Sequence, residues 1–256
     1  MQAILWLPFP LLASCVLVIA LCCFGAGVAM VHLVRRFGGP LAERLPQPAF
    51  ISVTATAWAL ALGFAASDVF SLNGMADRAA QAERSSISRL AGMAAPEALD
   101  RPEMQRTISD YAHEIMSVEW STNHNRSASA RADDLLQSLR LQIIAMTGEG
   151  VPEVLIGKTI SDFDELQDAR GIRLALGQSV LDETRWYLVF ALSILTALNI
   201  GMVHAGAPRA ARNALAVFCC ALFMCLAILG LTADPYRTMH PSLLITESAL
   251  APLALT

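Results

Sequence analysis

The chain has 256 residues, 55% of them hydrophobic, a mean hydropathy of +0.51 and a formal net charge of −4. That composition is too apolar for one water-soluble domain. Residues 71–185 hold 12 of the 18 Lys and Arg and 18 of the 22 Asp and Glu, so the polar region is acidic and excludes nucleic acid as a partner.

The first apolar run enters through Pro8 and Pro10 and supplies 24 residues from Leu11 to Val34, enough to cross a bilayer. A short loop with Arg35, Arg36 and Arg44 follows. The second span, Phe50–Phe70, has no proline before Ala94 and is expected to leave the bilayer as one continuous helix. Small residues recur along it at Ala55, Ala59, Gly63 and Ser67, a spacing that lets helix backbones approach closely in lipid. Ser52, Thr56, Ala59, Gly63 and Ser67 form a mildly polar wall and are the candidate pore lining. Trp58 and Phe64 point elsewhere, to pack on neighbouring spans.

Asp100 is read as the N-cap of a helix over Pro102–Trp120, whose stripe is Met104, Ile108, Tyr111, Ile115 and Val118. A helix over Ala130–Thr147 repeats the pattern with Ala132, Leu135, Leu139, Ile143 and Met146. Ser161 is read as the cap of the next helix, with Asp162, Asp164 and Glu165 complementing its positive N-terminus. This helix is free of proline and is expected to run into the third span, Trp186–Val203. The fourth span is Ala214–Leu231.

The reading is all-α: four spans with a helical bundle inserted between spans 2 and 3. Its parts are spans 1 and 2 in 1–70, the helical domain in 71–185, spans 3 and 4 in 186–233 and a tail in 234–256. Both termini and the bundle then share one face of the membrane. Arginines of the short loops put the bundle outside the cytoplasm. Including those near the span ends makes the tally seven against five in favour of a cytoplasmic bundle.

Arg170 and Arg173 lie on the apolar stripe Phe163, Leu166, Leu174, Gly177 and Leu181, and a charge drawn toward a core needs a partner. Glu119, beside Trp120, is the candidate. The three form either a structural ion pair or an anion site. The six cysteines all fall in apolar runs, and His113, Glu114 and His124 lack metal-ligand spacing, so neither metal nor cofactor is expected. Catalytic signatures are absent, and the chain is not read as an enzyme.

Phe64, Ala79 and Glu83, then Tyr111, Glu119-Trp120, Arg170, Arg173-Leu174 and Asp234-Pro235-Tyr236, occur in an order that resembles bacterial membrane proteins with a bestrophin-like domain. The resemblance covers roughly Phe50–Pro241. More remotely it extends to the bestrophin anion channels, in which five subunits set their second helix around a pore and the helical insert is cytoplasmic. It implies a homo-oligomeric, anion-selective channel in the bacterial inner membrane, with the lipid bilayer as its other partner. The alternative is a membrane-anchored sensor or scaffold whose bundle receives a ligand or protein.

Overall fold

The computed structural model describes residues 9–37, 49–178 and 183–237, and all regular structure among them is helical. The helices are α1 (Phe9–Phe37), α2 (Ala49–Ala94), α3 (Pro102–Glu114), α4 (Ala130–Ala145), α5 (Glu153–Gln178), α6 (Glu183–Val203) and α7 (Pro208–Thr232). Four of them, α1, α2, α6 and α7, are long and apolar enough to cross a membrane.

Two compact units divide these residues: 9–37, 49–71 and 183–234 in the first, and 72–178 with 235–237 in the second. Helix α2 contributes to both. Its continuity follows from the absence of proline over 46 residues. The link between α5 and α6, Leu181, Arg44 and the tail lie outside the described residues.

In the first unit α1 packs on α6 and α7. Lipid tails are as apolar as leucine, so helices in a bilayer gain from close packing rather than from leaving water. Glycine supplies that closeness here. A Cβ at Gly201 would stand 2.4 Å from the carbonyl oxygen of Gly27, and one at Gly27 would strike Leu215 at 2.5 Å. Gly230 meets Leu12 in the same way, which sets α1 and α7 antiparallel. Helix α2 joins through Trp58, whose ring lies edge-on to Phe218 with centroids 5.3 Å apart, and whose Nε1 donates to Ser193 Oγ at 2.9 Å. Asn199 Nδ2 donates to Thr54 Oγ1 at 3.2 Å. Ala61, Ala65 and Val69 complete the buried face of α2, whereas Phe64 is 63% exposed and lies outside that packed cluster.

The second unit buries Ile87 and Leu90 of α2, Met104, Ile108, Tyr111 and Ile115 around α3, Leu136, Leu139 and Ile143 of α4, and Phe163 and Leu166 of α5. Three local expectations are corrected. Asp100 does not cap α3: it takes a left-handed φ of 51° and its N–H closes the preceding turn on Ala95 O, while Arg101 occupies the cap position without a side-chain bond. Ser161 does not start α5, which begins eight residues earlier, after Pro152. Ile156, Thr159 and Phe163 keep the buried period unbroken through that point. Asp162 is accordingly not at a helix end. It is buried and accepts from Arg89 Nε at 2.7 Å and from Lys158. On α4 the fully buried position is Leu136 rather than Leu135, which is only partly covered.

Gly201→Ala should lower the detergent melting point, because the clash is with backbone that cannot swing aside, a penalty of about 1–3 kcal/mol. Gly171→Ala, in the middle of α5 with nothing within 4 Å, should raise it, through a stabilisation of about 0.5–1 kcal/mol. Equal effects of the two would contradict the close seam.

Candidate functional site

Two arrangements stand out, one on α2 and one inside the second unit. On α2, Ser52, Thr56, Ala59, Gly63 and Ser67 are all exposed. At 3.6 residues per turn they fall within about 80° of arc, on the side opposite Trp58, Ala61, Ala65 and Val69. A Cβ at Gly63 meets nothing within 4 Å. Among the described residues, the strip is therefore not a packing seam inside one subunit.

The second arrangement starts from a widened turn. After α3 the chain continues as a π-helical segment over Ile115–Trp120, closed by Ser121, whose N–H and hydroxyl both donate to Met116 O at 3.2 and 2.8 Å. The wider turn sends Ile115, Glu119 and Trp120 all inward. His124 and Asn125 then take left-handed φ values of 49° and 58°, a region that asparagine tolerates better than most residues. Asn125 N–H donates to Glu119 O at 2.6 Å, which folds the loop back on the turn.

Arg170 and Arg173 reach this point one turn apart on α5. Arg173 is fully buried and donates from Nε to Glu83 Oε2 at 2.5 Å and from Nη2 to Glu83 Oε1 at 3.0 Å and Glu119 Oε2 at 2.7 Å. Its Nη1 donates to Asn125 Oδ1. Arg170 donates from Nη2 to Glu119 Oε1 at 2.5 Å and from Nη1 to Asp133 Oδ1 at 2.6 Å. Ser129 N–H adds a bond to Glu119 Oε1 at 2.9 Å, and Tyr111 Oη donates to Glu83 Oε1 at 2.9 Å. Trp120 lies against the Arg173 guanidinium, 5.7 Å from ring centroid to Cζ, and edge-on to Tyr236. Tyr236 Oη donates to Arg173 O at 3.0 Å. Gly177 belongs to the same assembly, since a Cβ there would sit 2.0 Å from Asn125 O.

The structure thus brings Glu119, Arg170 and Arg173 together, and places the five α2 candidates on a different surface. Glu83, Tyr111, Asn125, Ser129, Asp133 and Tyr236 complete the network and were not singled out as its members by sequence reasoning. Glu83 carries a readable signal: it interrupts the apolar series Ala76, Ala79, Ile87, Leu90 and Ala94 on one face of α2, as the arginines do on α5. Asn125 carries none beyond the need for a glycine at position 177.

Two guanidiniums face two buried carboxylates, so charge balances inside the unit. Burial pushes the Glu119 carboxyl up, but the bond from Arg170 and the charge of Arg173 outweigh it and hold it below the usual glutamate range. Burial, then the charge of Glu83, drives the Tyr111 hydroxyl well above its ordinary value and keeps it a donor. Burial opposes the charged form of both arginines, yet their carboxylate partners prevail and raise them. Every guanidinium nitrogen of the pair has a protein acceptor, so the cluster has the chemistry of a clamp between segments. Among the described residues no three His, Cys, Asp or Glu side chains converge as metal ligands.

Glu119→Gln should destabilise the chain by about 3–5 kcal/mol, the penalty for stranding a buried partner. Asp133→Ala removes an acceptor whose side chain is 58% exposed and should cost under about 1 kcal/mol. Because folded Glu119 binds its proton less readily than an unfolded glutamate at about 4.3, the unfolded chain takes up protons first as pH falls. Stability should decline from there downward, and urea unfolding of Glu119→Gln should lack that part of the acid slope.

No curated protein and no solved structure gives a significant match to the chain. A family model described as Bestrophin-like domain matches residues 21–237. That stretch contains every member of the buried network and most of all four apolar helices, and the chain is a member of the Bestrophin-like domain family.

Proposed function

We propose that the chain is one subunit of an oligomeric ion channel, with α2 of each copy facing the symmetry axis. The observation that carries this is the strip Ser52, Thr56, Ala59, Gly63 and Ser67. It is small, mildly polar and exposed along one side of a helix whose opposite side is committed to packing. Small side chains let several copies approach, and hydroxyls at three levels tolerate water where lipid would not. Of the four candidate spans α2 is also the least apolar. Anion selectivity, a bacterial inner-membrane location and a cytoplasmic helical unit are what the likeness to the bestrophin channels implies.

The sensor reading asks Glu119, Arg170 and Arg173 for a vacant donor, and both guanidiniums are spent on protein acceptors. The cluster serves the channel as a structural clamp.

Purified protein should form a ring of four or five subunits in detergent and release chloride from liposomes. Gly63→Leu should block that flux and leave assembly intact, since position 63 has open space around it in the subunit. Normal flux in Gly63→Leu would remove α2 from the axis. A monomer without flux in the parent would remove the channel.

A further inference from the structure

Between α1 and α7 runs a groove of about 350 Å³ lined by Leu17, Leu21, Phe24, Ala216, Cys220 and Phe223, with almost nothing polar along it. The same helical stripes continue to arginines. At 3.6 residues per turn Arg35 lies on the azimuth of Leu17 and Leu21, and Arg209 and Arg212 lie within about 40° of Ala216. The antiparallel register fixed by Gly27 against Leu215 and Leu12 against Gly230 brings these arginines to one end of the groove. All three are exposed, and no Asp or Glu occurs among the described residues of that end, in 28–37, 49–60 or 197–215.

We propose that this groove binds a single anionic phospholipid, its acyl chain along α1 and α7 and its phosphate held by Arg209, Arg212 and Arg35. The dimensions agree. Arg212 stands eleven residues from Phe223, about 16 Å along the helix, which is the depth of one leaflet of a hydrocarbon core about 30 Å thick. An apolar wall alone would take any lipid or a second helix. The arginines at one end select a negative headgroup. They also argue against two copies pairing groove to groove, because such a two-fold contact in the membrane would set the three arginines of each copy at the same level, like charge facing like. This site is separate from the strip on α2 and does not depend on the channel reading.

The test uses the full chain purified in neutral detergent, with phosphatidylglycerol and phosphatidylcholine of identical acyl chains, read by native mass spectrometry and by thermal shift. Phosphatidylglycerol should stay bound and raise the melting temperature above that with phosphatidylcholine. The double variant R209Q, R212Q should weaken phosphatidylglycerol by roughly 30-fold, the worth of two headgroup charges, and shrink the preference to what Arg35 alone sustains. Ala216→Trp, which fills the groove from its lipid-facing side, should reduce retention of both lipids. Indistinguishable lipids in the parent would overturn the proposal. So would inorganic phosphate competing as well as the lipid, which would mean a headgroup anion site without a seated chain. A dimer captured by bismaleimide at Cys220 that excludes lipid would make the groove an interface and overturn it too. Should the double variant fail to fold, Ala216→Trp decides, and undiminished phosphatidylglycerol in it would sink the site.

Discussion

Two guanidiniums cannot be taken out of water alone, and in this chain that constraint organises the helical unit. Arg170 and Arg173 sit where a helix of this register would carry leucines, so the surrounding segments must deliver carboxylates to within hydrogen-bond distance. Glu83 comes from α2 and Glu119 from a widened turn after α3. Each carboxylate is also held by a neutral donor, Tyr111 or Ser129, so no oxygen faces the core empty-handed. An all-apolar core of the same volume tolerates small slips of one helix against another. A bidentate guanidinium does not, because its fork fixes distance and angle together. The arginines therefore specify one arrangement of α2, α3 and α5 and of the loop holding Asn125.

The membrane-spanning unit is held on other terms. Its contacts are backbone against backbone at Gly27 and Gly201 and a few neutral bonds such as Trp58 to Ser193. Within lipid the removal of apolar surface from water contributes nothing between helices, so shape does the selecting. Helix α2 shows the difference along its own length. Toward Ala94 its buried face meets an apolar core and a charged clamp. Between Ser52 and Ser67 one side packs through Trp58, Ala61 and Ala65, and the other carries the strip of small residues flanked by the exposed Val53, Leu60 and Phe64.

Long proline-free and strongly periodic stretches were legible in the sequence: the four apolar helices, the unbroken run through Ala94, and the stripes of α3 and α4. Local boundary signals were less reliable. Ser161 followed by three acidic residues has the chemistry of a helix start, yet nothing before it stops the helix that Pro152 begins, and an uninterrupted hydrogen-bond ladder outweighs a good cap. Asp100 likewise found a left-handed turn to occupy instead of a cap. In the clamp, Glu119 was readable as a partner because Trp120 marks it as buried. Glu83 was not paired with Arg173 because 90 residues separate them and no local pattern spans that distance. The π turn has no sequence signature of its own: it exists because Ile115, Glu119 and Trp120 all have buried partners to meet.

Those separations also set an order of events on the ribosome. Glu83 is made 90 residues before Arg173, and Glu119 is made 51 before Arg170. At about 5–20 residues per second the first interval is about 5–18 s. During it α2, α3 and α4 are completed in turn, and by its end two carboxylates destined for the interior still have no cation and keep their water. The nascent chain can form helices during that time, yet closing them over Glu83 would bury an unpaired charge. Completion of the bundle is thus tied to the arrival of α5, and Tyr236, which bonds to Arg173 O, is added only after α7 has been synthesised.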